Sequence, residues 1–349
     1  MIDIKSKWIT GCLALLLCCI LIMTAALVPG GGRFLARNRM DSLNAGTNLR
    51  TAGDTLIESA VNTAMGQGKI RFLPMNNLPC PVPSEEARGF YIDEREVEHE
   101  TYDDGSVSVD CWSFYASEGI SYGMIHAARV KIAHPSQLRT AFAGGAYGEN
   151  RRTVREIASS VNAVVAVNGD YYNYPNSRGT VLRNGVLYRD DPFPLASYEI
   201  LTIDSDGNLV MHDPVEWAAA PLYREPGSKI IQILNFGPAM VVDGVAQYSD
   251  LPNFLYLLNP RTVIAQTGPL EYLLVTADGR IQEADGTFSS PGWNINDLAV
   301  ILADMGCVTA YNLDGGQSTA LYFNGEIKSA LFAGERELAD IIFFATLGD

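Results

Sequence analysis

The chain has 349 residues, 47% of them hydrophobic and 19% charged, a balance that excludes a disordered or low-complexity protein and leaves length for one large or two ordinary domains. Its formal net charge of -15 excludes a nucleic-acid partner, which needs a basic footprint. A small anionic ligand would have to be met by local arginines.

Segment 8–28 is apolar and uncharged, follows Lys5 and Lys7, and ends at Pro29-Gly30-Gly31-Gly32. Roughly 20 such residues span a bilayer as a helix, more than a signal-peptide h-region holds. We read 1–32 as a cytoplasmic stub and transmembrane signal anchor, with a cleaved signal peptide as the alternative. Arg33, Arg37 and Arg39 follow the segment, so basic residues flank both sides and charge alone does not orient the helix. Residues 33–88 read as a stalk and linker, small and polar first and then broken by Pro74, Pro79, Pro81 and Pro83. A globular domain is expected over 89–349. Three cysteines, Cys80, Cys111 and Cys307, lie beyond the apolar segment. They allow at most one intradomain disulfide, with Cys80 and Cys111 the expected pair and Cys307 a buried small hydrophobe. No Asn-x-Ser/Thr sequon occurs, which suits a bacterial envelope protein better than a glycosylated ectodomain.

Residues 126–134 alternate as a strand, 150–160 read as a short helix, and the apolar run 163–167 delivers Asn168-Gly169-Asp170-Tyr171-Tyr172. Asn-Gly or Asp-Gly then recurs between β-rich runs at Asn184-Gly185, Asp206-Gly207, Asp243-Gly244, Asp278-Gly279 and Asn324-Gly325, each the signature of a tight hairpin turn. Together they predict an α+β fold: a large, mostly antiparallel β-sheet system with a few helices, preceded by the transmembrane helix. Asp278 fits a turn better than a site. Asn259-Pro260-Arg261-Thr262 opens an alternating strand; its arginine is either a solvated edge charge or a planar fork for a phosphate. Residues 294–306 place Ile295, Leu298, Ala299, Leu302 and Met305 on one face of a helix. Asn294 caps it, and Asp297 is the acid of a capping box. Asn312-Leu313-Asp314-Gly315-Gly316-Gln317-Ser318 then gathers an amide, an acid and a hydroxyl around two glycines at a strand end. The plain alternative there is an Asp-Gly-Gly turn. None of His99, His126, His134 and His212 has metal-ligand spacing, and Ser318 has no histidine partner in any motif, which argues against a serine nucleophile.

In order and spacing, Asn168 to Tyr172, Pro260 to Thr262 and Asn312 to Ser318 resemble the motifs of the phosphodiester glycosidase family, and the similarity runs from Ala127 to the C-terminus. The resemblance implies an enzyme cleaving a glycosyl phosphodiester, with Asp314, Arg261 and Asn168 catalytic, and Asp170 is taken as a further catalytic candidate that adds a carboxylate to the site. Gly169, Thr262, Asn312, Gly315, Gly316, Ser318 and Asp297 would line the substrate, and Arg183 and Arg336 are secondary candidates for its phosphate. Two positions depart from the family: Asp170, where a small residue is usual, and Asp297, where a glutamate opens the helix. The resemblance further implies a domain on the extracytoplasmic side of the membrane, an envelope glycopolymer or exopolysaccharide as substrate, and no cofactor. An oxygen-only Ca²⁺ site from scattered aspartates would carry no sequence motif, so the metal is left open, as is the oligomeric state.

Cleavage between anomeric carbon and oxygen passes through an oxocarbenium-like state. The departing phosphate monoester has a second pKa of about 6, so it needs charge neutralisation more than a proton. Arginine with amide and hydroxyl donors fits that demand, and Asp314 is the carboxylate expected to activate water or attack the sugar. Two other classes remain compatible with the sequence: a non-catalytic glycan-binding or envelope-assembly module, and a metal-dependent phosphoesterase.

Overall fold

The computed structural model describes residues 80–148, 150–172, 177–193, 198–248 and 257–347. The transmembrane segment, the stalk and most of the linker expected from sequence lie outside these residues. Among the described residues no helix is long and apolar enough to cross a membrane.

The backbone of the structure is a nine-stranded antiparallel sheet. Its order is β1 (Arg88–Ile92), β2 (Glu98–Asp103), β3 (Val107–Glu118), β4 (Ser121–Ile132), β15 (Glu271–Ala277), β14 (Arg261–Gly268), β18 (Thr309–Asn312), β12 (Ala239–Val242) and β13 (Val245–Ala246). A second sheet runs β20 (Glu326–Ile327), β19 (Leu321–Phe323), β6 (Val165–Asn168), β21 (Asp340–Phe344) and β5 (Leu138–Phe142). A third is β10 (Leu209–His212), β9 (Ile200–Asp204), β11 (Ile230–Leu234), β7 (Val181–Arg183) and β8 (Val186–Arg189), and β16 (Ile281–Gln282) pairs with β17 (Phe288–Ser290). This is the mostly antiparallel α+β fold that the turn signals predict.

Four of the five Asn-Gly or Asp-Gly dipeptides join paired strands, at β7–β8, β9–β10, β12–β13 and β19–β20. Asn184 with Gly185, Asp243 with Gly244 and Asn324 with Gly325 all take positive φ at both positions, the geometry whose twist matches a hairpin. The fifth does not form a hairpin. Asp278-Gly279 leaves β15, whose partners are β14 and β4, and leads to β16, which pairs with β17.

Helix α1 (Val154–Ser160) starts later than the expected 150, because Thr153 and Glu156 form the capping box that sets its first turn. Helix α2 (Pro214–Ala219), capped by Asp213, has no counterpart in the sequence reading. Helix α3 (Ile295–Asp304) is capped by Asn294, whose side chain accepts from the Asp297 N–H. It lays Ile295, Leu298, Ala299 and Leu302 on Val263, Ala265, Leu273 and Val275 of the large sheet. The sheet's opposite face packs Ile264, Leu274 and Tyr311 against Val165, Val167, Leu321, Phe323, Ile342 and Phe344 of the second sheet. Each fully buried leucine or isoleucine here contributes roughly 2 kcal/mol, and Leu298→Ala would cost about 2–5 kcal/mol through the cavity it leaves.

The expected Cys80–Cys111 disulfide is not formed: Cys80, Cys111 and Cys307 are all free. Cys111 faces the core from β3, where burial pushes its thiol up to about 12. Cys80 instead accepts a 2.9 Å hydrogen bond from Arg139, and its carbonyl accepts one of 2.8 Å from Asn162.

Candidate active site

Strand β6 of the second sheet and strand β18 of the first end side by side, and Asn168 joins them. Its amide donates to the Asp314 carbonyl at 2.7 Å, while its Oδ1 accepts from the Thr262 hydroxyl at 2.8 Å and the Ala320 N–H at 3.2 Å. Asn168 and Thr262 are 1% and 0% exposed, so both shape the site from beneath. Asn312 is buried as well; its amide donates to the Gly237 carbonyl at 2.7 Å, and its Oδ1 is buried without a hydrogen-bond partner.

Asp314 lies where the two strand ends meet. Burial pushes its carboxyl up to about 6, against the opposing pull of the Ser318 hydroxyl, the Arg336 guanidinium and the Gly315 N–H. Ser318 also accepts from Arg336 at 3.2 Å, which makes an acid, hydroxyl and guanidinium row. Tyr171 is part of this electrostatic neighbourhood. Burial and the Asp314 charge raise its phenol, and Arg336 and Arg151 act in the other direction.

The glycines in this loop make room. Gly316 takes φ +62, opening the single 3-10 turn Gly316–Ser318, and its N–H is tied to the Pro260 carbonyl at 2.9 Å. A Cβ there would sit 4.0 Å from the Arg280 guanidinium. Arg280 is exposed, stacks over the Phe332 ring at 5.1 Å and donates to the Asn259 side chain. Two arginines, Arg280 and Arg336, therefore flank the Gly316–Ser318 turn. The sequence reading passed over Arg280 because Asp278-Gly279 imitates a hairpin.

Arg261 is 3% exposed. Its Nε donates to the Trp293 carbonyl at 2.8 Å and its Nη2 to the Leu257 carbonyl at 2.9 Å. Burial, with Arg280 nearby, lowers its pKa to about 10. Much of this fork is thus occupied by main-chain acceptors.

Asp170 belongs to a buried charge cluster. It accepts from the Tyr171 N–H at 2.8 Å and the Asn235 N–H at 2.8 Å, and its Oδ2 lies 3.5 Å from Arg183. Arg183, 1% exposed, also pairs with Asp340 at 3.0 Å. Burial works against its charge, but Asp340 and Asp170 outweigh it. Asp340 is pushed up to about 6 by burial, with Arg183 opposing. Arg183 is therefore an internal counter-charge and not a surface phosphate contact. Gly169 lies against this cluster: a Cβ there would land on the Asp340 carboxylate.

Asp297 does not join the Asp314 cluster. One of its oxygens accepts from the Ile120 N–H, the Ser121 N–H and hydroxyl, and the Asn294 amide, at 2.7–3.2 Å. This carboxylate fastens the start of α3 to the β3–β4 turn. No group of three or more His, Cys, Asp or Glu able to hold a metal occurs among the described residues.

What the fold and site define is an antiparallel α+β scaffold presenting the buried Asp314, with Ser318 and Arg336 beside it, just beyond the end of β18. Residues 161–345 match the phosphodiester glycosidase family. The chain belongs to that family. It is 26% identical over 198 residues to the SPbeta prophage-derived uncharacterized protein YomE of Bacillus subtilis, covering 55% of this chain and 29% of that protein. To mouse N-acetylglucosamine-1-phosphodiester alpha-N-acetylglucosaminidase it is 23% identical over 219 residues, 57% of this chain and 40% of that one. The chain thus spans less than half the length of these two relatives. The catalytic domain of the zebrafish N-acetylglucosamine-1-phosphodiester alpha-N-acetylglucosaminidase, solved as auto-inhibited by its pro-peptide, superposes with a TM-score of 0.55 at 17% identity, covering 71% of this chain and 88% of that one. At that identity the likeness concerns the fold.

Proposed function

We propose that the chain hydrolyses a sugar-1-phosphodiester, with Asp314 as the reacting carboxylate and Arg336 and Arg280 neutralising the phosphate. The observation that carries this reading is the Asp314 carboxyl, raised to about 6 by burial and lined up with Ser318 and Arg336. A carboxyl so placed is mostly ionised at neutral pH yet remains a competent base, the condition general catalysis asks for. It would activate water or attack the anomeric carbon as the C–O bond opens. The leaving phosphate monoester takes the bonding electrons, and the guanidinium groups offset its charge without donating a proton. Arg261, occupied by main-chain carbonyls, supports the strand end beneath; Asn168, Thr262 and Asn312 hold the geometry.

Family membership and the mouse relative, whose name specifies an N-acetylglucosamine-1-phosphodiester, support this substrate class. The apolar segment 8–28 supports a membrane anchor; the extracytoplasmic side and an envelope glycopolymer or exopolysaccharide as substrate follow from the family resemblance alone. The test is release of free sugar from a synthetic α-GlcNAc-1-phosphodiester in ¹⁸O water. Turnover that places the label on the sugar, and that Asp314→Asn abolishes, is the expected result. Label on the phosphate would indicate a phosphoesterase. Saturable binding without turnover on this and related sugars would leave a binding module.

A further inference from the structure

Asp278 is 2% exposed and closes no hairpin. Its two oxygens are divided between two distant parts of the chain. Oδ2 meets His126 Nε2 on β4 at 3.0 Å, and Oδ1 accepts from the Ala330 N–H at 3.0 Å. The ring's other nitrogen, Nδ1, is fixed by the Ser113 hydroxyl at 2.7 Å, so the imidazole cannot swing away without breaking a second bond. The Asp278 backbone is equally held: its N–H donates to the Met124 carbonyl at 2.9 Å, and its carbonyl accepts from the Ser290 hydroxyl at 2.9 Å.

Both segments tied to this carboxylate lead to arginines of the site. Two residues after Asp278 comes Arg280, in the uncommon φ +61 conformation, a cost that the surrounding structure must hold in place. Between them Gly279 is pressed so closely on Pro260 that a Cβ would lie 2.5 Å from the Pro260 nitrogen. Two residues after Ala330 comes Phe332, the ring beneath the Arg280 guanidinium, and four further on comes Arg336, the donor to Ser318.

We infer that Asp278 is a positioning residue: by holding His126 and the Ala330 N–H together it sets the separation of Arg280 and Arg336, and so the seat of the substrate's phosphate. The inference rests on the proposed function for the diester, but not for the anion. Losing the carboxylate releases the Ala330 segment, which carries Phe332 and Arg336, from the backbone-held Arg280 strand, while leaving Asp314 bonded as before. The effect therefore falls on phosphate affinity first.

The experiment uses the full-length protein in mild detergent and two readouts: diester hydrolysis kinetics, and inorganic phosphate binding by calorimetry. Asp278→Ala is expected to raise KM at least tenfold with kcat within about threefold, and to weaken phosphate binding by the same factor. Asp278→Asn keeps an acceptor for Ala330 and can donate to the imidazole in its other tautomer, so it should restore both to within about threefold of wild type. Wild-type KM and phosphate affinity in Asp278→Ala would overturn the inference, as would an Asn variant no better than Ala. If the Ala variant does not fold, His126→Phe frees one oxygen only. A several-fold rise in KM with unchanged kcat then supports the role, and an unchanged KM refutes it. A wild type that binds phosphate without hydrolysing any diester sinks the proposed function, while the phosphate arm still decides for or against Asp278. Failure to bind phosphate together with a KM that Asp278→Ala leaves unchanged overturns the inference, while diester turnover alone decides the proposed function.

Discussion

The Asn168 side chain donates to the backbone carbonyl of Asp314, 146 residues away, at 2.7 Å. One amide thereby links the last residue of a strand in one sheet to the second residue beyond a strand of another, and two further partners satisfy its carbonyl oxygen. Removing it leaves a carbonyl, a hydroxyl and an N–H buried without partners. Asn168→Ala should cost about 2–4 kcal/mol in urea unfolding. It should also lower kcat/KM by at least about tenfold, because Asp314 loses its support. An Ala variant with wild-type stability and rate would remove Asn168 from the account.

Asp314 carries an opposite trade. Its folded pKa of about 6 stands above the usual carboxylate value of about 3.9, so its contribution to stability is fully present below pH 3.9 and is lost as pH rises through 6. Above that the ionised, buried carboxylate costs on the order of 3 kcal/mol. Asp314→Asn should then melt roughly 5 °C higher than wild type at pH 7.5 and level with it near pH 3.5, while losing turnover. A variant less stable than wild type at both pH values would contradict this.

The same titration should appear in catalysis. If Asp314 acts as base or nucleophile, log kcat/KM rises with unit slope up to about pH 6 and is flat above it. A profile that falls through pH 6 instead would make Asp314 the proton donor and reverse the assignment.

Arg280 lies near Gly316 and Arg336 donates to Ser318, so Arg280→Ala and Arg336→Ala should each raise KM about tenfold, more at low salt than at high salt. Arg183→Ala should behave differently, costing about 3–5 kcal/mol of stability by stranding Asp340 and Asp170 in the interior. Thermal melts beside initial rates separate the two kinds of arginine.

The hairpins were legible in the sequence because a positive-φ dipeptide is a local device: Asn184-Gly185, Asp243-Gly244 and Asn324-Gly325 read correctly from two residues each. Asp278-Gly279 carries the same letters and misleads, since its role depends on His126, 152 residues away. The ends of β6 and β18 could be picked out as strand-end loops, and the Asn168–Asp314 bond between them could not. Arg261 illustrates the limit most plainly. Its position at a strand mouth is visible in the sequence, whereas its burial against the Trp293 carbonyl, which arrives from another segment, is not. Asp297 has the spacing of a capping-box acid, but its carboxylate accepts from the Asn294 side-chain amide and from Ile120 and Ser121, while the Asn294 backbone N–H goes to the Ser121 hydroxyl. Cys80 and Cys111 show the converse: counting suggests a pair, whereas Cys111 is buried in the core and Cys80 faces Arg139.

The fit of Gly169 against Asp340 has a meaning for how this sequence can change. Any side chain at position 169 evicts a carboxylate, eviction leaves Arg183 short of its nearest counter-charge, and Asp170 alone stands 3.5 Å away. No single substitution among these positions escapes the others, so drift here has to proceed through a poorly folding intermediate or by several replacements together. Positions 169, 183 and 340 should therefore be inherited as a block.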